Sequence, residues 1–435
     1  MTARTTRTTV GAVGWRRTPV IAVGSLGAAL LAGVGLTFSR PDVIGIGLPL
    51  ALTAVWAVWG RPRDGETTVT LRAEAADIDE PVVRTTADIE LAAEWAQVAV
   101  EQEGRRTGLA DVRPGSGALR ARTRLQHSGP VELLALTVRG TAMDGAWVTA
   151  PGPRSSIVWN AAPGARRVER LPVAARLGGL HGTHEGRRLG QGGDFHDIHP
   201  FVPGDELRRV DWRATARAAR RPGELLVRRR NALSESSVVL AVDTAEELGT
   251  AVAAWGTTDP DRSGVTSLDL AREAALSVAT AAIESGDRVA YHALSPGGQS
   301  VPSGGGRRQL ALVRASIAAT GKNEDTSYRR SPIIPPGSVV FVLSTFADGV
   351  AARLATGWRA AGHAVVAVDV LPAPDTARLT RAQHVALRML LAERADILAE
   401  LRGAGVQVIA WAQDDVDVAL RVAAVLQERF RAVRP

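Results

Sequence analysis

The chain has 435 residues, 45% of them hydrophobic and 22% charged, with a formal net charge of +7 and no cysteine. That length allows two or three domains with ample apolar cores. The lack of cysteine excludes disulfides, thiolate zinc sites and cysteine nucleophiles, and it fits a cytosolic setting. Lys322 is the sole lysine, so nearly all the positive charge is arginine. So strong a preference is compositional, and no nucleic-acid partner is expected from it.

Residues 18–39 contain no charged side chain, and a second uncharged run covers 43–60 and ends with Trp56 and Trp59. About 20 helical residues cross a hydrocarbon core of roughly 30 Å, and indole rings favour the headgroup level. Only Arg40, Pro41 and Asp42 separate the runs, so the spacing predicts a transmembrane hairpin over 18–60. Arg4, Arg7, Arg16 and Arg17 precede it and Arg61 and Arg63 follow it. Arginine is retained on the cytoplasmic side, which predicts a cytosolic basic N-terminus at 1–17, a multi-pass anchor in the cell membrane, and cytosolic soluble domains. A cleaved secretory signal is the competing reading. A signal core is shorter and ends in a small-x-small site, whereas this chain runs Leu36-Thr37-Phe38-Ser39-Arg40.

Residues 66–175 offer short alternating runs at 68–73, 88–100, 119–126, 131–139, 146–149 and 156–160, separated by glycine and proline. That pattern predicts a β-rich, sandwich-like domain. A Gly-rich, charged segment follows at 178–235. From 236 to 435 the rhythm changes. Continuous Val/Ile runs at 236–243, 288–294, 338–344, 364–370 and 406–412 alternate with helical patterns at 268–285, 307–320, 349–362, 381–404 and 416–432. Strands of that kind are buried on both faces, which predicts a doubly wound α/β domain. Function in such sheets sits at the carboxyl ends of the strands, here Asp243, Ser344 and Asp369.

Several chemistries can be tested against the residues. Gly321-Lys322-Asn323 lacks the hydroxyl and the glycine-rich lead of a P-loop, and the first parallel strand runs into Thr244-Ala245-Glu246-Glu247 with no glycine triplet. No Gly-x-Ser-x-Gly elbow is present. Asp194, His196, Asp197 and His199 form a D-x-H-D-x-H cluster that could hold zinc in a metal-dependent hydrolase. Gly192-Gly193 before it and Pro200 after it oppose a helix that presents both rings on one face, so a solvated loop is the plainer reading.

The densest stretch is 190–212, GQGGDFHDIHPFVPGDELRRVDW. Its Gly-Gly and Pro-Gly-Asp steps supply turns. Asp194, Asp205 and Asp211 are spaced to accept hydrogen bonds from backbone N–H groups or from Arg208, Arg209 and Arg213, and Phe195 and Trp212 read as packing anchors. The segment is either an arginine–aspartate-stapled loop lying on the sheet or a docking surface for a partner. Nine arginines lie between 208 and 230, against acids at 205, 206, 211 and 224. A solvated, partly ion-paired face follows from that balance. Were it to face the inner leaflet, anionic lipid would add about 1 kcal/mol per exposed arginine.

The run G-x-D-F-x-x-I-x-x-F-x-P-G-D-x-x-R-x-V-D-W, followed by Ala214-Thr215-Ala216-Arg217 and Leu225-Leu226-Val227-Arg228, resembles the signature of the domain-of-unknown-function 58 family. The resemblance implies two N-terminal transmembrane helices, a β-rich sandwich-like domain, and an α/β doubly wound domain like the von Willebrand factor A fold. It marks Gly193, Asp194, Phe195, Pro203, Gly204, Asp205, Arg208, Asp211 and Trp212 as signature or partner-binding residues. It also implies association with a MoxR-type AAA+ ATPase and with transglutaminase-like membrane proteins, and hence a non-enzymatic scaffold or adaptor without a cofactor. A structural envelope protein is a further alternative. The von Willebrand A fold can hold a divalent cation through a D-x-S-x-S motif, a later threonine and another aspartate. Asp243 is the surviving position here: Ala245 and Glu247 replace the serines, 303–307 (SGGGR) has no threonine, and Thr345 stands in the later aspartate's place. No metal is expected.

Overall fold

The computed structural model describes residues 4–76, 81–102, 105–115, 119–172, 184–234, 236–255, 264–323, 331–412, 416 and 420. For 10–13, 105–107, 184–196 and 230–234 only the backbone is described. The chain divides into two compact units: Met1–Gln126 with Val131–Trp159, and His127–Pro130 with Asn160–Pro435.

The first unit begins with strands β1 (Arg4–Val13) and β2 (Trp15–Arg17), where the sequence suggests a basic tail. Two helices follow, α1 (Pro19–Thr37) and α2 (Pro41–Trp59), each with proline in its first turn and each 19 residues long. At about 1.5 Å per residue, each spans about 28 Å, long and apolar enough to cross a membrane. Their side chains are largely uncovered: Leu26, Leu30, Leu36 and Trp56 are exposed, and Trp59 is 85% exposed. Gly35 and Gly47 let the helices close on each other. A Cβ on Gly35 would stand 2.5 Å from Ile44 Cγ1, and one on Gly47 would stand 3.2 Å from Leu31 Cβ.

The same unit contains ten strands among the described residues. After β3 (Gly65–Ala75), β4 (Val82–Glu90), β5 (Trp95–Gln102), β6 (Arg105–Val112), β7 (Leu119–Arg124), β8 (Gly129–Ala142), β9 (Trp147–Thr149) and β10 (Ser155–Ala161), one sheet has the order β1-β3-β4-β7. The other has the order β2-β9-β8-β5-β6, with β10 also on β8. Val69, Leu71, Val83 and Ile89 of the first share a core with Ala96, Val98, Leu133, Leu136 and Ile157 of the second, so the unit is sandwich-like. The run at 88–100 is two strands and not one, because the chain turns between β4 and β5.

Strand β1 pairs antiparallel with β3, from Arg4 opposite Ala73 to Val13 opposite Gly65. These strands lie on either side of the hairpin in the sequence, so both its ends emerge on one side. Polar groups of the β-unit clasp it there. Trp15 Nε1–H donates to Arg63 O (3.1 Å), Thr18 Oγ1–H to Gly145 O (2.7 Å) and Trp147 Nε1–H to Ala57 O (2.6 Å).

The second unit opens with a two-stranded ribbon, β11 (His184–Pro200) with β12 (Leu226–Ser234). Its main sheet contains β13 (Ser237–Asp243), β14 (Arg288–Leu294), β15 (Ser300–Gly304), β16 (Ser338–Ser344), β17 (Ala364–Asp369) and β18 (Gln407–Ala410), in the order β15-β14-β13-β16-β17-β18. All neighbours are parallel except β15, an antiparallel edge strand that the sequence pattern does not reveal. Alternate residues of β13 enter opposite cores. Val238, Leu240 and Val242 pack towards Ala271, Ala274 and Val278, while Val239 and Ala241 pack towards Ala351, Ala355 and Leu398. Helices therefore cover both faces. They are α4 (Ser267–Glu284), α5 (Gly306–Ala318), α6 (Val350–Ala360) and α7 (Arg381–Gly403), while the short α3 (Trp212–Ala218) lies between β11 and β12 in the chain. The predicted closing helix at 416–432 lies, apart from Val416 and Leu420, outside the described residues. Residues 160–172, read from sequence as the end of the β-rich domain, belong with this unit because Val168 and Leu171 are buried in its core.

Helix α4 begins with a capping box between Thr266 and Asp269. Asp269 also accepts Ser128 N–H and Oγ–H (both 2.8 Å) and stands 2.6 Å from His127 Nδ1. Burial alone would raise its carboxyl, but the hydrogen bond and charge of His127 and the donors of Ser128 outweigh burial and bring it down to about 2. Because that value lies below the ordinary 3.8, the stabilisation is full above pH about 4 and is lost as pH falls towards 2. It amounts to about 2 kcal/mol. Hydrogen exchange of the first turn of α4 across pH 2–5 should show this loss, and Asp269→Asn should remove the pH dependence. Protection that stays flat over that range would contradict the assignment.

Candidate functional site

Two parts of the second unit carry the residues singled out from sequence. The first is the segment joining β11 to β12. From Asp197 onward the ribbon is regular, with Asp197 opposite Arg229, Ile198 opposite Arg228, His199 opposite Val227 and Pro200 opposite Leu226. The predicted loop is thus a strand here, because a partner strand satisfies its backbone. Gly193, Asp194, Phe195 and His196 lie on β11, and their side chains lie outside the described residues. Pro203-Gly204-Asp205 turns the chain, with Gly204 at φ 106°, a conformation favourable only to glycine. The Asp205 carboxylate closes this turn by accepting Val202 N–H (3.0 Å), and His199 Nε2 lies 3.3 Å from it.

Helix α3 (Trp212–Ala218) follows, capped by Asp211, whose Oδ1 accepts Ala214 N–H at 2.9 Å. Thr215 Oγ1 accepts Leu226 N–H and ties the helix to β12. Glu224 accepts the N–H groups of Arg220 and Arg221. Asp197 receives Arg229 through two bonds of 2.9 Å, and Arg208 and Arg209 both turn to Glu206.

Of the two kinds of donor expected for the aspartates, Asp205 and Asp211 take backbone N–H groups, while Arg208 pairs with Glu206; the side chain of Asp194 lies outside the described residues. One sequence expectation changes. Trp212 is no packing anchor. It stands 66% exposed, and Ile198, Val202 and Leu207 are exposed in the same stretch. Arg213, Arg217, Arg220 and Arg221 are exposed as well, without an ion pair among the described residues. The zinc-like cluster does not assemble from the residues that can be judged: Asp197 holds Arg229 and His199 faces Asp205. No group of three His, Asp or Glu side chains suited to a metal occurs among the described residues.

The second part is the carboxyl edge of the main sheet. Strand β13 is the point where the chain leaves for β14 on one side and β16 on the other, the place where open α/β sheets commonly bind ligands; Asp243 and Ser344 stand there. Ser344 Oγ–H donates to Asp243 Oδ2 (2.7 Å), and Asp243 Oδ1 accepts Ala245 N–H (3.1 Å). Ser344 Oγ in turn accepts Phe346 N–H (2.9 Å), holding buried Phe346 at φ 56°, a strained value for such a residue. Thr345 Oγ1–H donates to Glu246 Oε2 (2.9 Å), and burial pushes the Glu246 carboxyl up. Arg394 reaches from α7 to pair with Asp369 and donates Nε–H to Thr345 O (2.6 Å). For a divalent cation the fit is poor. Both Asp243 oxygens already accept protein hydrogen bonds, Ala245 offers no oxygen, Glu247 accepts Thr266 Oγ1–H, and Thr345 holds Glu246. Arg394 was not legible as part of this edge, since nothing in a helical pattern marks which arginine turns inward.

The chain thus combines an apolar helical hairpin and β-sheets with an α/β unit that carries a turn-rich, arginine-rich insertion ahead of its first parallel strand. Residues 197–389 match the family described as "Protein of unknown function DUF58". No curated protein and no solved structure matches it.

Arg394→Met should leave the Asp369 carboxylate, itself 14% exposed, without its guanidinium. Breaking a buried pair costs about 3–5 kcal/mol, less where water reaches it, so about 3 kcal/mol is expected. Hydrogen exchange at β16 and β17 in the full chain should accelerate accordingly, with partial rescue by Arg394→Lys. Unchanged protection would mean that the pair contributes nothing to the edge.

Proposed function

We propose that this protein is a membrane-anchored, non-enzymatic adaptor. The α1–α2 hairpin sits in the bilayer and the remainder lies on the cytosolic side. The α/β unit, which we take to be von Willebrand factor A-like, binds a partner protein through the stretch 198–221. The observation that carries this reading is Trp212, a large indole exposed at the start of α3 close to Arg213, Arg217, Arg220 and Arg221, which have no ion pair among the described residues. Trp and Arg are the side chains that most often anchor protein interfaces. The hairpin's exposed apolar surface supports the anchor, since every backbone group of a helix is satisfied internally and lipid can solvate the rest. The arginines flanking the hairpin support a cytosolic orientation. An open parallel sheet with Asp243 ending its first strand supports the von Willebrand A-like reading. The partner implied by the family resemblance is a MoxR-type AAA+ ATPase, with a transglutaminase-like membrane protein as a further member of the assembly.

Purified full-length chain in detergent should bind the MoxR-type ATPase of the same cell. Trp212→Ala should weaken the complex by roughly tenfold or more, the usual effect of truncating an interface hot spot. Arg213→Glu with Arg217→Glu should slow association and flatten its salt dependence. No complex with the folded protein, or full binding by both variants, would overturn the proposal.

A further inference from the structure

Within the first unit, the hairpin and the loops that clasp it line an open groove with a volume of ≈ 1030 Å³. Small-ligand sites run to about 300–1,000 Å³. Its long walls are apolar: Val23, Gly24 and Gly27 on α1, Leu50 and Ala54 on α2. Gly24 and Gly27 keep it open. A Cβ on Gly27 would meet Leu50 Cδ1 at 3.7 Å, so side-chain volume added there would enter the space between the helices. At the end next to the β-unit the lining changes character. The charged lining residues among those described are Glu94 and Asp144, both acidic and both exposed. Glu94 is fixed beside the 143–146 turn by accepting Met143 N–H at 2.8 Å.

We infer that this groove seats one bilayer phospholipid with an ethanolamine headgroup. The inference goes beyond the adaptor reading and rests only on its membrane-anchor part. One acyl chain lies along α1 and α2, and the ammonium donates to Glu94 and Asp144. In lipid, apolar walls alone select nothing, because acyl chains solvate every face of the hairpin equally well. Selection comes from the polar end. Two carboxylates there favour a cation with N–H donors, disfavour a headgroup of purely negative charge, and give less to choline, whose methylated nitrogen has no hydrogen to donate.

The test places the full-length chain in nanodiscs of equal phosphatidylethanolamine, phosphatidylcholine and phosphatidylglycerol with matched acyl chains. The lipid retained after mild detergent extraction is then weighed by native mass spectrometry. About one phosphatidylethanolamine per chain is expected, enriched roughly tenfold over phosphatidylglycerol, the scale of one charge-assisted hydrogen bond. The double variant E94Q/D144N should return the retained lipid to the composition of the mixture, and Gly27→Leu should lower the amount retained. Retention in the starting proportions by the unaltered chain, or a preference untouched by E94Q/D144N, would overturn the inference and leave the anchor standing. A chain that never enters the nanodiscs would overturn both.

Discussion

The pairing of β1 with β3 constrains everything else in the first unit. A hairpin of two uncharged helices could otherwise be a loosely attached anchor, free to swing on the short linkers at 14–18 and 60–64. Here the strand before it and the strand after it are neighbours in one sheet, in register over most of their length. The helices therefore start and finish on the same face of that sheet. Trp15, Thr18 and Trp147 then donate to backbone carbonyls at the junction, those of Arg63, Gly145 and Ala57, the last in the final turn of α2, where carbonyls lack helical partners. The junction is as much a folded core as the sandwich above it, since Trp15, Ala57, Ala142, Ala146 and Trp147 are buried together.

In the second unit the comparable constraint is the reversal of strand order at β13. In α/β sheets the carboxyl edge at such a reversal is where ligands gather. This edge is closed by its own residues instead. A serine hydroxyl meets Asp243, a threonine hydroxyl meets Glu246, and a guanidinium from α7 meets Asp369. Each pairing relieves the cost of holding a carboxylate or its conjugate acid in a poorly solvated place. The strain at Phe346 shows that the backbone bends to make one of them.

The parallel strands were legible because each is a continuous apolar run, a pattern that two-sided burial produces directly; β14 and β16 have the predicted ends. The hairpin was legible for a similar reason, as absence of charge over 19 residues leaves few alternatives. What escaped was set by tertiary pairing. Arg4–Val13 reads as a basic, threonine-rich tail, and only its register against β3 makes it a strand. Ser300–Gly304 is a strand because β14 offers it a free edge. His184–Pro200 reads as a glycine-rich loop, and β12 turns it into half of a ribbon. Trp212 was misplaced because an indole is usually a core residue, and its exposure depends on which side of α3 meets β12, a contact made through Thr215.

In the 197–230 segment the acids and the arginines have different roles. Counted along the sequence, they suggest a solvated, partly ion-paired face, and Arg208, Arg209 and Arg229 are paired. The fold divides their work. Asp205, Asp211 and Glu224 turn their carboxylates onto backbone N–H groups, where each closes a turn or caps a helix. Those acids are short-reach groups next to the donors they satisfy, and such local bonds cost little side-chain entropy. Arg208, Arg209 and Arg229 reach carboxylates, while Arg213, Arg217, Arg220 and Arg221 are exposed without an ion pair among the described residues. The positive charge of these four arginines is therefore exposed without direct ion pairs among the described residues. It surrounds an indole that the same capping arrangement holds out of the core, since Asp211, the residue before Trp212, fixes where α3 begins.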